Sequence, residues 1–176
     1  MLILGIDPGT IKCGYGCIEY LSNTVKLIDS GVIKIPSGIT MPEKIGIIFR
    51  EIKIKIIEHK PGQIAVETSF FGRNIQSALK LGYARGAAIA AAADTLIPVF
   101  EYSPREIKKA VTGRGGAAKE QVSYMVKLLT NTPEELIIDE SDAIATAICH
   151  AFSTRKGTGS AKSWKDFVKL NPGKIV

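Results

Sequence analysis

Two short apolar runs, each ending in a carboxylate, largely set the fold that this chain can adopt. Residues 2–7 read LILGID and are followed by Pro-Gly, and residues 63–67 read QIAVE. Such runs, bounded by turn residues, are typical of strands buried inside a sheet. If the two strands are parallel neighbours, Asp7 and Glu67 leave the sheet at the same edge, where sites form in open α/β sheets.

The remaining patterns complete a mixed α/β sheet. Strands are predicted over residues 2–7, 14–20, 24–34, 63–67 and 98–102, and helices over residues 42–59, 74–94, 104–111, 117–129 and 139–152. Short connections predict an antiparallel meander for the first three strands. Strands 4 and 5 follow helices, so right-handed crossovers make them parallel to strand 1 and put helices on both faces.

Two segments allow more than one interpretation. Residues 42–59 alternate in part like a strand, but their length and the early Pro42 favour a helix. In residues 74–94, Gly82 and Gly86 let another backbone approach closely. We interpret these glycines as packing tightly on the sheet, and a dimer face is the alternative.

Charge is unevenly distributed along the chain. The 23 Lys and Arg residues exceed the 17 Asp and Glu residues by six. Residues 103–127 carry six bases and two acids, whereas residues 128–152 carry five acids and no base. This distribution reflects either chance segregation of charge over solvated faces or a basic surface that holds an anionic ligand beside an acidic metal site. We predict one domain over residues 1–153 and a basic, flexible tail over residues 154–176.

Composition disfavours several other classes of protein. No apolar run approaches the ~18 residues of a membrane helix, and the N-terminus lacks the features of a secretory signal. Cys13, Cys17 and Cys149 form no Cys-x-x-Cys pair, which argues against a disulfide framework or structural zinc and predicts a reducing cytoplasm. His59 and His150 are interpreted as structural, and no Ser-His-Asp or Cys-His arrangement is suggested.

Four carboxylates form the strongest candidate site. Asp139 and Asp142 lie three residues apart at the start of a predicted helix, so they share one face. Taken alone, this pair is a helix cap, Asp7 a turn residue and Glu67 a strand end. Taken together, they are an oxygen-only set of the kind that binds Mg²⁺ or Mn²⁺. Two such ions can assist hydrolysis of a phosphodiester.

Several motifs then resemble one family, the RuvC Holliday junction resolvases. They are GIDPGT at residues 5–10, GYG at 14–16, AVETSF at 65–70, SALKLG at 77–82, ARG at 84–86 and DESDA at 139–143. The resemblance runs in order from residue 2 to about residue 150. It implies an RNase H-like fold and a cytoplasmic homodimer. It also implies catalytic metal ligands at Asp7, Glu67, Asp139 and Asp142, although some members carry histidine at the position of Asp139.

The resemblance also implies a set of DNA contacts. Phe70 matches an aromatic residue placed against bases, and Lys108 and Lys119 match basic positions on the DNA surface. Lys119 begins a predicted helix, where backbone amides favour phosphate. The full set of DNA-binding candidates is Phe70, Arg73, Asn74, Lys108, Arg114 and Lys119. Solvated surface charge is an equal alternative for the two arginines.

The implied reaction is paired, symmetric nicking of a four-way junction in homologous recombination and DNA repair. Two Mg²⁺ ions per site, replaceable by Mn²⁺, support hydrolysis to a 5′-phosphate and a 3′-hydroxyl, with the RuvA and RuvB branch-migration complex as partner. One alternative is a sugar-kinase or actin-like ATPase, but that fold needs a duplicated domain and this chain has no Walker A motif. Another is a non-catalytic junction-binding protein, against which the intact acid set argues.

Overall fold

The computed structural model of the chain describes residues 1–68, 75–132 and 136–154. Its strands are β1 (Leu2–Asp7), β2 (Lys12–Leu21), β3 (Thr24–Lys34), β4 (Gln63–Glu67) and β5 (Val99–Tyr102). Its helices are α1 (Met41–His59), α2 (Ile75–Ala93), α3 (Pro104–Thr112), α4 (Lys119–Thr130) and α5 (Ile138–Thr154). This is the predicted order of elements. The predicted tail lies outside the described residues except for Thr154, which ends α5.

The five strands form one mixed sheet in the order β3-β2-β1-β4-β5. β1, β2 and β3 pair antiparallel, whereas β4 pairs parallel with both β1 and β5. The predicted topology is therefore confirmed. In the parallel register of β1 and β4, Ile6 lies opposite Val66. Asp7 and Glu67 follow these residues, so the two acids end neighbouring strands side by side.

Helices cover both faces of the sheet, as predicted. One core joins Leu4 and Ile6 to Ile48 and Ile52 of α1 and to the alanines of α2. The other core lies beneath α5 and includes β1 residue Ile3, together with residues from α3 and α4. Because side chains alternate across a strand, each inner strand supplies apolar groups to both cores.

The α1 segment is a helix, which settles its ambiguous pattern. Thr40 caps the start, and both its backbone N–H and its hydroxyl donate to Glu43 Oε2 at 2.7 Å. Ile48, Ile52 and Ile56 are buried at four-residue spacing, as one helix face requires. Tertiary burial of this face therefore prevails over the partial strand alternation.

The prediction that Gly82 and Gly86 pack tightly on the sheet is wrong. Both are exposed, and a Cβ built at either position would meet no atom within 4 Å. Alanines form the buried face of α2 instead: Ala84, Ala87, Ala88, Ala91 and Ala92. The helical period turns the two glycines away from this face, so they lie on the outer surface.

The histidines and cysteines take structural positions. His150 is buried, where its Nε2–H donates to Gln63 Oε1 and its Nδ1 accepts from the Tyr102 hydroxyl, both at 2.7 Å. His59 Nε2 lies 2.8 Å from Asp29 Oδ2. The three cysteines, all within the described ranges, are buried thiols rather than disulfides. None of the described helices has the length and apolar character needed to cross a membrane.

Candidate active site

Helix α5 lies in direct backbone contact with β1 and β2, and this contact positions the candidate site. A Cβ on Gly14 would lie 2.0 Å from the carbonyl oxygen of Asp139, and a Cβ on Gly5 would lie 2.1 Å from that of Ala143. Only glycine allows a helix to approach a sheet so closely. The approach brings the first turn of α5, with Asp139 and Asp142, over the carboxyl end of β1.

Asp7 and Glu67 end their strands beneath this turn. Ile3 of β1 and Ala65 of β4 contribute to the α5 core, so strand alternation places Asp7 and Glu67 on the same face. The end of β4 is fixed by Thr68, whose N–H and hydroxyl both donate to the Tyr102 carbonyl, at 2.8 and 3.1 Å.

Burial and neighbouring negative charge raise the pKa values of Asp7 and Glu67. Burial raises the pKa of Asp7 to about 7, and the negative charges of Asp142 and Asp139 add to this effect. Burial also raises the pKa of Glu67 to about 8, with further contributions from Asp7 and Asp142. Lys119 lowers the pKa of both groups. The four predicted carboxylates therefore share one edge of the sheet, where the positive charge of Lys119 offsets only part of the effect of burial and negative charge on Asp7 and Glu67.

Two lysines contact the carboxylates of α5. Lys119, the first residue of α4, places its Nζ 3.0 Å from Asp142 Oδ2, and the hydrogen bond to Asp142 raises the pKa of Lys119. Lys12 Nζ lies 3.7 Å from Asp139 Oδ2. Sequence reasoning singled out Lys119 but missed Lys12, whose only sequence signal is its place just after the Pro-Gly turn that follows Asp7.

Glu140 is a second residue that sequence reasoning missed. Its Oε1 accepts a hydrogen bond from the Ser30 hydroxyl at 2.6 Å, and its Oε2 accepts one from the Ile137 N–H at 3.1 Å. The carboxylate thereby joins the start of α5 to β3. Because Ser30 is 110 residues away in the chain, no local pattern identifies this contact.

The donor chemistry fits a hard divalent cation. All four carboxylates offer oxygen atoms, the ligands that Mg²⁺ and Mn²⁺ prefer, and the raised pKa values of Asp7 and Glu67 reflect buried negative charge. Within the described residues, no three acidic, histidine or cysteine side chains gather closely enough to hold an ion as they stand. Asp139 and Asp142 form ion pairs with Lys12 and Lys119 instead, so a bound metal ion would have to replace these lysines as their partners.

The predicted DNA contacts fall into three groups. Lys108 on α3 is half-buried, and its charge lowers the pKa of Glu67, so it belongs to the same site as Lys119. Arg114 is exposed in the α3–α4 connection, and none of the described acids forms an ion pair with it. Three candidates lie outside the described residues: Phe70, Arg73 and Asn74.

Known proteins are similar to this chain in both sequence and fold. The family described as "Crossover junction endodeoxyribonuclease RuvC" matches residues 3–150. The chain belongs to the RuvC family. A RuvC of Porphyromonas gingivalis is 43% identical over 99% of this chain and 96% of its own length. A RuvC of Citrifermentans bemidjiense is 48% identical over 87% of this chain and 93% of its own length.

Solved RuvC structures superpose on the chain. Thermus thermophilus RuvC is 34% identical with a TM-score of 0.80, covering 90% of this chain and 98% of its own. The same protein in complex with a Holliday junction substrate gives a TM-score of 0.84, covering 90% of this chain and 97% of its own. The yeast mitochondrial Holliday junction resolvase Ydc2, at 14% identity and a TM-score of 0.62, shares the fold. RuvC family membership replaces the ATPase alternative.

Proposed function

We propose that this chain is a structure-specific endonuclease that resolves Holliday junctions in homologous recombination and DNA repair. One observation carries the proposal: in a chain of the RuvC family, Asp7 and Glu67 end neighbouring strands, and the first turn of α5, with Asp139 and Asp142, lies over the same edge of the sheet. The named relatives are crossover junction endodeoxyribonucleases, and the Thermus thermophilus RuvC was solved with a Holliday junction. Intact carboxylates favour catalysis over junction binding alone.

The four carboxylates would hold the metal, which we propose to be a pair of Mg²⁺ ions, replaceable by Mn²⁺. When bound, these ions supply Lewis-acid chemistry for hydrolysis of a phosphodiester to a 5′-phosphate and a 3′-hydroxyl. Asp7 and Glu67 are held in place by the ends of β1 and β4. Asp139 and Asp142 are held by the close contact of α5 with Gly14 and by the hydrogen bond that Glu140 accepts from Ser30.

Two lysines would bind DNA phosphates beside the carboxylates. Lys108 and Lys119 supply positive charge next to Glu67, where a polyanion would otherwise be repelled by the acids. Lys119 also begins α4, and the unpaired amides of a helix start favour phosphate. Exchange of its Asp142 contact for a phosphate would leave Asp142 available to the metal.

A labelled four-way junction tests this function directly. We expect paired nicks placed symmetrically across the junction with Mg²⁺ and none with EDTA, because the carboxylates need a bound cation. The nicks should be resealed by DNA ligase without prior phosphorylation, because the products carry a 5′-phosphate. A linear duplex of the same sequence is the control. Equal cutting of that duplex, or tight junction binding without nicks, would contradict the proposal.

We propose that the chain acts as a homodimer through the outer surface of α2. Ile75, Leu79 and Tyr83 recur every four residues and are 85%, 53% and 43% exposed. They form an apolar stripe of the kind that marks an interface. Gly82 and Gly86 leave open space next to the stripe, which suits the approach of a second backbone. Two copies would match the approximate two-fold symmetry of a junction.

Leu79→Lys should convert the dimer to a monomer, because a charge in a buried apolar interface cannot be solvated. Light scattering coupled to gel filtration measures the mass of each variant. The monomer should lose paired nicking while single nicks persist. Leu21→Lys is the matched control, since Leu21 is 65% exposed at the far end of β2. A monomeric wild type, or a Leu79→Lys protein that stays dimeric, would refute this interface.

We also propose a protein partner and a cellular location, on the basis of family membership and of the thiols. The RuvA and RuvB branch-migration complex is the proposed protein partner, on the basis of the family resemblance alone. A cytoplasmic location is proposed because Cys13, Cys17 and Cys149 are buried thiols, as is usual in a reducing compartment.

A further inference from the structure

A second group of lysines lies at the active-site edge of the sheet, on β2 and β3. Lys12 begins β2 and Lys34 ends β3, and these residues are directly paired across the antiparallel ladder. The strand order places β2 and β3 on the other side of β1 from β4. Asp7 therefore lies between this lysine pair and Glu67. The function proposed for the site does not use the pair.

Both lysines point to the face of the sheet that carries the carboxylates. Gly14 and Gly16 of β2 face α5, and strand alternation gives Lys12 the same direction. The contact between Lys12 Nζ and Asp139 Oδ2 at 3.7 Å agrees with this direction. Residues paired directly across a ladder share a face, so Lys34 lies on the same face as Lys12.

This arrangement carries an electrostatic cost within the protein. Like charges directly opposite each other, with Cβ atoms about 5 Å apart, destabilise a strand pair. Lys34 is exposed, and none of the described acids forms an ion pair with it. Within the described residues, Lys12 forms its only ion pair with Asp139, and both side chains are partly exposed. Ion pairs of this kind contribute little to stability. An external anion would balance both charges.

A third lysine strengthens the positive character of this edge. Lys44 Nζ donates to the Thr10 carbonyl at 3.3 Å and so holds the turn between β1 and β2. Two further acids, Glu43 and Glu140, already have other hydrogen-bond partners. Glu43 accepts from Thr40, and Glu140 accepts from the Ser30 hydroxyl and a backbone N–H.

We propose that Lys12 and Lys34 bind the phosphate backbone of the DNA on the β2–β3 side of the carboxylates. This inference rests on the proposed function and extends its DNA surface beyond Lys108 and Lys119. Lysines from α3 and α4 thus bind phosphates on the Glu67 side of Asp7, and lysines from the sheet bind phosphates on the other side. A phosphate replaces Asp139 as the partner of Lys12 and becomes the first partner of Lys34.

The salt dependence of junction binding tests this assignment. Each phosphate contact contributes about 0.9 to the slope of log K against log salt. Lys34→Ala should therefore flatten the slope by about that amount. The loss of affinity that it causes should be about eightfold larger at ~0.1 M salt than at 1 M salt. Fluorescence anisotropy of a labelled junction in EDTA measures both quantities. Lys34→Arg keeps the charge and should keep the wild-type slope, and Lys12→Ala should flatten it as Lys34→Ala does.

Lys26→Ala is the matched control, because Lys26 is exposed on the same strand and pairs with Glu19 at the opposite end of the sheet. It should bind like wild type. Thermal unfolding checks the fold, and Lys34→Ala should melt no lower than wild type because it removes a like-charge pair. Lys34→Ala and Lys12→Ala proteins that both keep the wild-type slope would overturn this inference alone. A wild type that binds no junction would overturn the proposed function with it.

Discussion

Asparagine in place of Asp7 is expected to reduce junction cleavage by about 10³-fold or more and to leave junction binding intact. Asp7 ends β1, where the charges of Asp142 and Asp139 act on it, and metal assistance to phosphodiester hydrolysis is worth several kcal/mol. DNA affinity depends mainly on lysines, so the neutral side chain should not weaken it. Single-turnover cleavage and anisotropy on the same labelled junction measure the two effects separately.

The same variant should be more stable than wild type when metal is absent. Burial raises the pKa of Asp7 from its ordinary 3.8 to about 7. Between these values the folded protein binds more protons than the unfolded chain, so wild-type stability falls as pH rises through this range. Asparagine removes this penalty, which is on the order of 2–4 kcal/mol at pH 8. Thermal unfolding in EDTA from pH 5 to 8 measures it.

Added Mg²⁺ distinguishes a metal ligand from a structural Asp7. A cation that binds only the folded state raises the melting temperature. Mg²⁺ should therefore raise the melting temperature of the wild type and leave that of Asp7→Asn unchanged. Asp94→Asn is the control, because Asp94 forms a surface ion pair with Lys53 and should respond to Mg²⁺ like wild type. Loss of folding and junction binding together in Asp7→Asn would show that Asp7 is structural.

Alanine in place of Gly14 is expected to disrupt both the fold and the site. Its Cβ would lie 2.0 Å from the carbonyl oxygen of Asp139, and a helix backbone cannot yield as a flexible side chain can. Helix α5 must move away from β2 and take Asp139 and Asp142 with it. We expect a loss of about 3 kcal/mol in the free energy of unfolding, a melting temperature lower by about 10 °C, and no cleavage.

Gly62→Ala is the control for Gly14→Ala, since a Cβ on Gly62 would meet its nearest atom, the Leu2 carbonyl oxygen, at an ordinary 3.8 Å. It should unfold within about 1 °C of wild type and retain cleavage. Urea and thermal unfolding, followed by the junction assay, measure both variants. A Gly14→Ala protein with wild-type stability and activity would contradict the close packing of α5 against Gly14.

The sequence by itself determined the strands and their directions in the sheet, and it placed Asp7 and Glu67 at one edge on the condition, met in the structure, that β1 and β4 are neighbours. These features depend on local physics: apolar runs end at turn residues, side chains alternate along a strand, and crossovers have one hand. The family resemblance in the motifs named the same four acids that the structure brings together. The pairing of Asp139 with Asp142 needed only the helical period, which is also a local property.

Only the tertiary structure decided which surfaces these elements present to one another. Gly82 and Gly86 carry a close-packing signal, but the rotation of α2 is set by its alanine face on the sheet, so the glycines point outward. The contacts of Lys12 with Asp139 and of Ser30 with Glu140 join residues more than a hundred positions apart in the chain. No sequence pattern encodes such contacts, because they form only when helix packing brings distant backbones together.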